Sequence, residues 1–98
     1  MINRIVRLSF EPENVNAFLE IFENSKHQIA NFPGCCGLKL LQDANHAHVF
    51  YTYSLWQNPD DLENYRQSDL FKSTWAATKA LFNDKPMAFS TIIHQHVK

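Results

Sequence analysis

Four of the five histidines occur as two pairs, and neighbouring imidazoles are a pattern that can bind a metal ion. His46 and His48 are two residues apart, as are His94 and His96, so each pair shares a face if its segment is a strand. The first pair would open one strand, and the second would close another strand that runs the same way. The pairs would then lie about 25–30 Å apart. Because no third ligand type is evident, the sequence predicts no metal site.

The two cysteines are adjacent, Cys35 and Cys36, so an extended backbone would turn one side chain inward and leave the other partly exposed. A redox role needs a nearby cation or helix N-terminus that favours the thiolate, and the sequence shows neither. Two adjacent cysteines also cannot build a disulfide framework. This cysteine usage is typical of a reducing compartment and predicts a cytoplasmic protein.

A row of polar and aromatic residues at four-residue spacing lies around residues 46–56. His48, Thr52 and Trp56 share one strand face, with Phe50 between the first two. The row spans about 26 Å, so one small aromatic molecule cannot touch both ends. Thr52 offers a hydroxyl, and Trp56 offers an indole N–H on an apolar wall. His48 is a possible base at the other end of the row.

Two further aromatic residues, Tyr65 and Trp75, lie ten residues apart on predicted helices, which is about three turns and places them on the same face. Such residues usually pack in the core. Tyr65 lies near a helix end, where its phenol can close a cavity beside Trp56 and relay a proton.

Hydrophobic spacing and turn signals define the elements that position these residues. Apolar alternation predicts strands at residues 2–10, 36–40, 46–56 and 87–97. Helical spacing predicts a helix over residues 12–30, a short helix after Asn58-Pro59 and a longer one after Ser68-Asp69. The order β-α-β-β-α-α-β favours a ferredoxin-like α+β fold, a split β-α-β sandwich with an antiparallel sheet and its helices on one face.

The third strand has apolar residues on both faces, and helices can cover only one of them. We therefore expect homodimerisation through the sheet faces. A chain of 98 residues predicts a single domain, residues 1–98. The net charge is −1 without any Lys/Arg cluster, and no apolar run approaches the roughly 18 residues of a membrane span. Neither a nucleic-acid partner nor a membrane partner is expected.

Four segments in fixed order resemble the antibiotic biosynthesis monooxygenase domain family. They are Phe32-Pro33-Gly34-Cys35 after the first helix, a strand ending in Trp56, the Asn58-Pro59-Asp60-Asp61 helix start, and Ser68-Asp69-Leu70-Phe71. The resemblance covers nearly the whole chain. It implies a dimeric α/β barrel with a cavity in each subunit, between the sheet and the helices.

The resemblance also implies a chemistry. Members of the family oxidise quinols or phenols with O₂, without a metal or flavin cofactor, using a strand-three Trp and an Asn four residues earlier. Trp56 matches the Trp, whereas Thr52 occupies the Asn position. On this basis we predict that the substrate is a small aromatic molecule. The predicted catalytic residues are Trp56, Thr52 and Tyr65, and the predicted substrate-binding residues are His48, Phe50 and Trp75.

Two alternatives follow from where the chain departs from the family pattern. The missing Asn, together with a His that many relatives carry where this chain has Tyr65, favours a non-catalytic dimer of the same fold that binds a small aromatic molecule. A heme-degrading branch of the family carries an Asn, a Trp and a His at the positions of Val6, Tyr65 and Trp75. All three residues differ here, so heme degradation by that mechanism is disfavoured.

Overall fold

The computed structural model describes all 98 residues, Met1–Lys98. Its strands and helices follow the predicted β-α-β-β-α-α-β order. They are β1 (Ile2–Ser9), α1 (Val15–Ala30), β2 (Cys35–Gln42), β3 (Val49–Trp56), α2 (Pro59–Arg66), α3 (Asp69–Lys79) and β4 (Met87–Thr91). One 3-10 turn, Pro12–Asn14, leads into α1. No helix is long and apolar enough to cross a membrane.

The four strands form one antiparallel sheet in the order β2-β3-β1-β4. This is the ferredoxin-like α+β fold that the sequence predicts. Alternate residues of each strand point to opposite sides of the sheet. The inner face, which the helices cover, carries Phe50, Thr52, Ser54 and Trp56 of β3. The outer face, which no helix covers, carries Tyr51 and Tyr53 of the same strand.

The core occupies one end of the inner face. Leu8, Phe10, Phe18 and Phe50 form a buried cluster between the sheet and α1. The rings of Phe10 and Phe18 stack with their centroids 4.3 Å apart. At the other end of the inner face Trp56 packs edge-on against Phe32, the second residue after α1. The phenylalanine core and the Trp56–Phe32 contact hold the helices against the sheet at its two ends and leave a space between these packed regions.

Side-chain caps fix the starts of the last two helices. The Asn58 side-chain oxygen accepts a hydrogen bond from the Asp61 N–H at 2.9 Å, and the Ser68 hydroxyl accepts one from the Phe71 N–H at 3.1 Å. Both caps confirm the sequence prediction. Gly34 has a positive φ of 88°, and a side chain there would collide with Asp61. The turn before β2 therefore requires glycine.

Two predicted strand limits are wrong. The third strand begins at Val49 instead of residue 46, because the Asp43 carboxylate accepts the N–H groups of Asn45 and His46 and closes a turn there. The fourth strand ends at Thr91 instead of residue 97, because its pairing with β1 ends there, opposite Asn3. Neither histidine pair therefore lies in a strand. No three His, Cys, Asp or Glu side chains cluster to hold a metal ion.

Candidate functional site

A cavity lies between the inner face and the helices. Its volume is about 330 Å³, and twelve of its twenty lining residues are hydrophobic. Small-molecule sites in proteins typically measure roughly 300–1,000 Å³, so the cavity suits a compact ligand. The largely apolar lining favours a ligand that is itself mostly apolar.

Stacked aromatic rings form the helical wall of this cavity. Tyr65 on α2 stacks on Trp56 with the ring centroids 4.9 Å apart. Phe71 meets Tyr65 edge-on at 5.3 Å, and Trp75 stacks on Phe71 at 5.8 Å. Aromatic pairs in these geometries add to the stability that burial provides. The wall therefore holds the Tyr65 and Trp75 rings in fixed positions.

Three of the six predicted site residues line the cavity: Thr52, Tyr65 and Trp75. Trp56 does not reach it, because its side chain is fully buried behind Tyr65 with 0% exposure. Its indole N–H donates to the Ser54 hydroxyl at 2.9 Å. The protein itself thus occupies the donor that the sequence assigned to the substrate, and Trp56 supports the wall.

The other two predicted residues, Phe50 and His48, are not part of the cavity lining. Phe50 is 5% exposed and belongs to the core, with its ring 5.5 Å from that of Phe18. His48 precedes β3 and borders a shallow groove beside the start of α1, and it does not line the cavity. Phe50 packs into the core instead of facing the cavity, and His48 lies in the turn before β3.

Three hydroxyl groups of the cavity lining have no hydrogen-bond partner within the chain. They belong to Thr52, Tyr65 and Thr74. By contrast, the hydroxyls of Ser25 and Thr78 donate to helix carbonyl oxygens at 2.8 Å. No buried side-chain oxygen or nitrogen atom lacks a hydrogen-bond partner, so these three hydroxyls are not fully enclosed and water can reach them. Unpartnered hydroxyls in an apolar cavity are therefore available to hydrogen-bond a ligand.

The surroundings of Tyr65 fix its protonation state. Burial, with a smaller contribution from Cys35, raises the pKa of Tyr65 to about 12. At neutral pH its phenol is uncharged, so it can donate a hydrogen bond but does not act as a base. Burial also raises the pKa of the Cys35 thiol, which disfavours the reactive thiolate.

Two arginines that the sequence reasoning missed also line the cavity: Arg4 on β1 and Arg66 on α2. Arg4 lies on the inner face, between Ile2 and Val6. A charged residue within an apolar alternating stripe was the available signal. Burial, and then the positive charge of Arg66, lower the pKa of Arg4. The cavity is therefore electropositive on the Arg4 side.

Comparisons with known proteins agree with this architecture. Residues 1–77 match the antibiotic biosynthesis monooxygenase family. Among solved structures, one described as an antibiotic biosynthesis monooxygenase superposes with a TM-score of 0.90 at 15% identity, over 97% of this chain and 100% of that one. A search of the curated proteins finds no match.

Two further structures are similar over nearly their whole length. A conserved protein from Methanosarcina mazei Go1 gives a TM-score of 0.88 at 16% identity, covering 92% of this chain and 89% of that one. A mutant of SnoaB, a cofactor-independent oxygenase from Streptomyces nogalater, gives 0.86 at 16% identity, covering 98% and 95%. At such identities the likeness shows the fold alone.

Proposed function

The chain belongs to the antibiotic biosynthesis monooxygenase family, and from that premise we propose that its cavity binds a small quinol or phenol and promotes its oxidation by O₂. The observation that carries the proposal is an aromatic-walled cavity with three unpartnered hydroxyls. The likeness to SnoaB, described as a cofactor-independent oxygenase, supports it.

Each lining residue has a role in this proposal. The Thr52 hydroxyl hydrogen-bonds the substrate oxygen, and the neutral Tyr65 phenol donates to the negative charge that develops there. Trp75 stacks along the substrate ring. Such donors stabilise an oxyanion best where water is excluded. A phenolate is electron-rich enough to react with O₂ directly, so the protein has to bind the substrate and stabilise its deprotonated form.

The reaction balances without a reductant. A ring carbon of the phenolate forms a bond with O₂ and gives a hydroperoxide. The O–O bond then breaks, one oxygen stays on the ring as a quinone carbonyl, and the other leaves as water. The phenol proton and the ring hydrogen end in that water. The substrate supplies all four electrons, so the proposed reaction needs no cofactor.

The second candidate function is non-catalytic binding of a small aromatic molecule. The observation that favours it is the lack of a base: no Asp, Glu, His or Lys lines the cavity. A phenol that must lose its proton would then depend on water or on a substrate that is already acidic. Heme degradation stays disfavoured, because Val6, Tyr65 and Trp75 replace the residues of that branch.

Oxygen incorporation tests the proposal. We expect 1,4-dihydroxynaphthalene under ¹⁸O₂ to give 2-hydroxy-1,4-naphthoquinone with one labelled oxygen, faster with protein than without. Thr52→Val removes the cavity hydroxyl at similar volume and should lower turnover about tenfold or more. Thr91→Val, at an exposed position of β4, is the matched control and should keep wild-type turnover. Binding of 1-naphthol without any turnover would instead establish the second candidate.

We also propose that two copies pair through their outer faces in the cytoplasm. Leu41, Met87 and Phe89 are large outer-face residues, each 46–53% exposed. Ile92 and Ile93 beyond β4 are exposed as well. A sheet face of this kind is typical of a homodimer interface. No basic cluster supports a nucleic-acid partner.

A further inference from the structure

The charged groups of the cavity are all positive. Arg4 and Arg66 line it, and no Asp or Glu does. Arg66 is held by Glu63, its Nη1 atom 3.1 Å from the carboxylate Oε2 atom. Arg4 has no carboxylate within 4 Å, because the ion pairs of the chain involve Arg7, Lys26, His46 and Arg66 instead. One positive charge on the cavity wall is therefore not neutralised by the protein.

Most of the Arg4 hydrogen-bond donors have no partner within the chain and are open to solvent. Its guanidinium carries five N–H donors, and it makes one hydrogen bond, from Nη1 to the Ser90 hydroxyl at 3.0 Å. It is partly exposed: Ser54 and Ser90 are its partners on the neighbouring strands, and its hydrogen bond to Ser90 faces the solvent. Burial and the nearby Arg66 both disfavour the charged form, and Glu63 offsets this only in part. An anion bound beside Arg4 would replace water at these donors and supply a close counter-charge.

We propose that the substrate is an aromatic carboxylate whose carboxylate group binds to Arg4, while its ring lies along the aromatic wall. A guanidinium presents parallel N–H donors that match the two oxygens of a carboxylate. The apolar remainder of the cavity suits the ring. This inference rests on the proposed function for the reaction, and it adds the substrate class and the residue that selects it.

A matched ligand pair tests the inference by binding alone. 1-Hydroxy-2-naphthoate and 1-naphthol differ only by a carboxylate, and isothermal titration calorimetry measures both without turnover. We expect wild-type protein to bind the carboxylate about tenfold or more tightly than the neutral naphthol. The preference should weaken as salt is added, because a partly exposed charge pair is screened.

Two substitutions on β1 distinguish the effect of Arg4 from the effect of removing any positive charge on this strand. Arg4→Met keeps an apolar stem and should abolish the preference. Arg7→Met is the matched control, because Arg7 lies on the outer face of β1, 3.7 Å from Asp84, and should leave the preference unchanged. If Arg4→Met fails to fold, Arg4→Lys and the salt series on wild-type protein provide the test.

Equal affinity for the two naphthalenes would overturn the inference, and so would a folded Arg4→Met variant that keeps the preference. Neither result depends on O₂. A protein that prefers the carboxylate but never oxidises a quinol would contradict the proposed function and leave this inference standing. Oxidation of 1,4-dihydroxynaphthalene without any carboxylate preference would support the proposed function and contradict this inference.

Discussion

Some hydroxyl groups on the two sides of the sheet differ in whether they have a hydrogen-bond partner within the chain. On the outer face the Tyr51 hydroxyl donates to Asp43 at 3.0 Å, and the Tyr53 hydroxyl donates to Asn3 at 2.7 Å. On the cavity side the hydroxyls of Thr52 and Tyr65 have no partner within the chain. A hydroxyl with a protein partner contributes to stability, whereas an open one is available for a ligand. The Tyr51 and Tyr53 hydroxyls thus have a structural role, whereas those of Thr52 and Tyr65 can bind a ligand.

The large apolar residues of the two faces also differ in how much of their surface is exposed to solvent. Phe10 and Phe18 on the inner side are 0% and 3% exposed, whereas Phe89 on the outer face is 53% exposed. The helices remove these inner residues from water, whereas Phe89 and other large outer-face residues such as Met87 stay about half exposed. The inner residues should therefore determine the stability of the monomer, and the outer residues should determine its association.

The largest expected effect is on folding. Phe10→Ala should lower the free energy of unfolding by about 3–5 kcal/mol, because it opens a cavity among packed rings. Phe89→Ala should cost about 1 kcal/mol or less, measured at a protein concentration where the chain is monomeric, because Phe89 is half exposed. Urea denaturation measures both. Equal losses would contradict the division between the two faces.

The next largest expected effect is on dimer formation. Phe89→Asp places a carboxylate on the outer face of both copies and should raise the dimer dissociation constant about a hundredfold or more. Sedimentation and light scattering measure the change. Leu19→Asp, at an exposed position of α1, is the matched control and should leave the dimer intact. A wild-type protein that stays monomeric at micromolar concentration would refute the dimer.

Removing one hydroxyl from each side should separate stability from binding. Tyr53→Phe leaves the buried Asn3 side chain without its donor and should cost about 1–2 kcal/mol of stability, with 1-naphthol affinity unchanged. Tyr65→Phe breaks no hydrogen bond within the chain and should change stability by about 0.5 kcal/mol or less. It should weaken 1-naphthol binding about tenfold. The reverse pattern would show that Tyr65 is structural.

The sequence predicted the fold well because strand alternation and helix caps are local signals. Alternation in β1 and β3 assigned the two faces, and Asn58 and Ser68 marked two helix starts that the structure confirms. The start of β3 was placed three residues early, because the turn that Asp43 closes extends to His48, beyond the residues that carry the turn signal.

The candidate site was less predictable, because it depends on which residues meet across the fold. The pairing of the Trp56 N–H with Ser54 uses a donor that appeared free in the sequence. Arg4 gave a local signal, as a charge within an apolar stripe, but its proximity to Arg66 follows only from the packing of α2 against the sheet. The spacing of residues along the sequence does not reveal contacts between residues that are far apart in the chain.

The two sides should also lose stability at opposite ends of the pH scale, and the alkaline end tests the cavity side. Burial raises the pKa of Tyr65 from 10.0 to about 12, so the folded chain holds this proton more tightly than the unfolded chain. The resulting stabilisation is complete below pH 10 and is lost as the pH rises towards 12. Urea midpoints of Tyr65→Phe should therefore fall less than those of wild-type protein across that interval.

The acid end tests the outer side, where Asp43 accepts the Tyr51 hydroxyl. Hydrogen bonds from the Asn45 N–H, the His46 ring and Tyr51 lower the pKa of Asp43 from 3.8 to about 2, so the folded chain holds this proton less tightly than the unfolded chain. The stabilisation is complete above pH 4 and is lost as the pH falls towards 2. Asp43→Asn cannot titrate, so we expect it to be less stable than wild-type protein at pH 7 and to lose less stability between pH 4 and pH 2. Urea midpoints that fall in parallel for both proteins would show that this carboxylate does not couple the turn to the outer face.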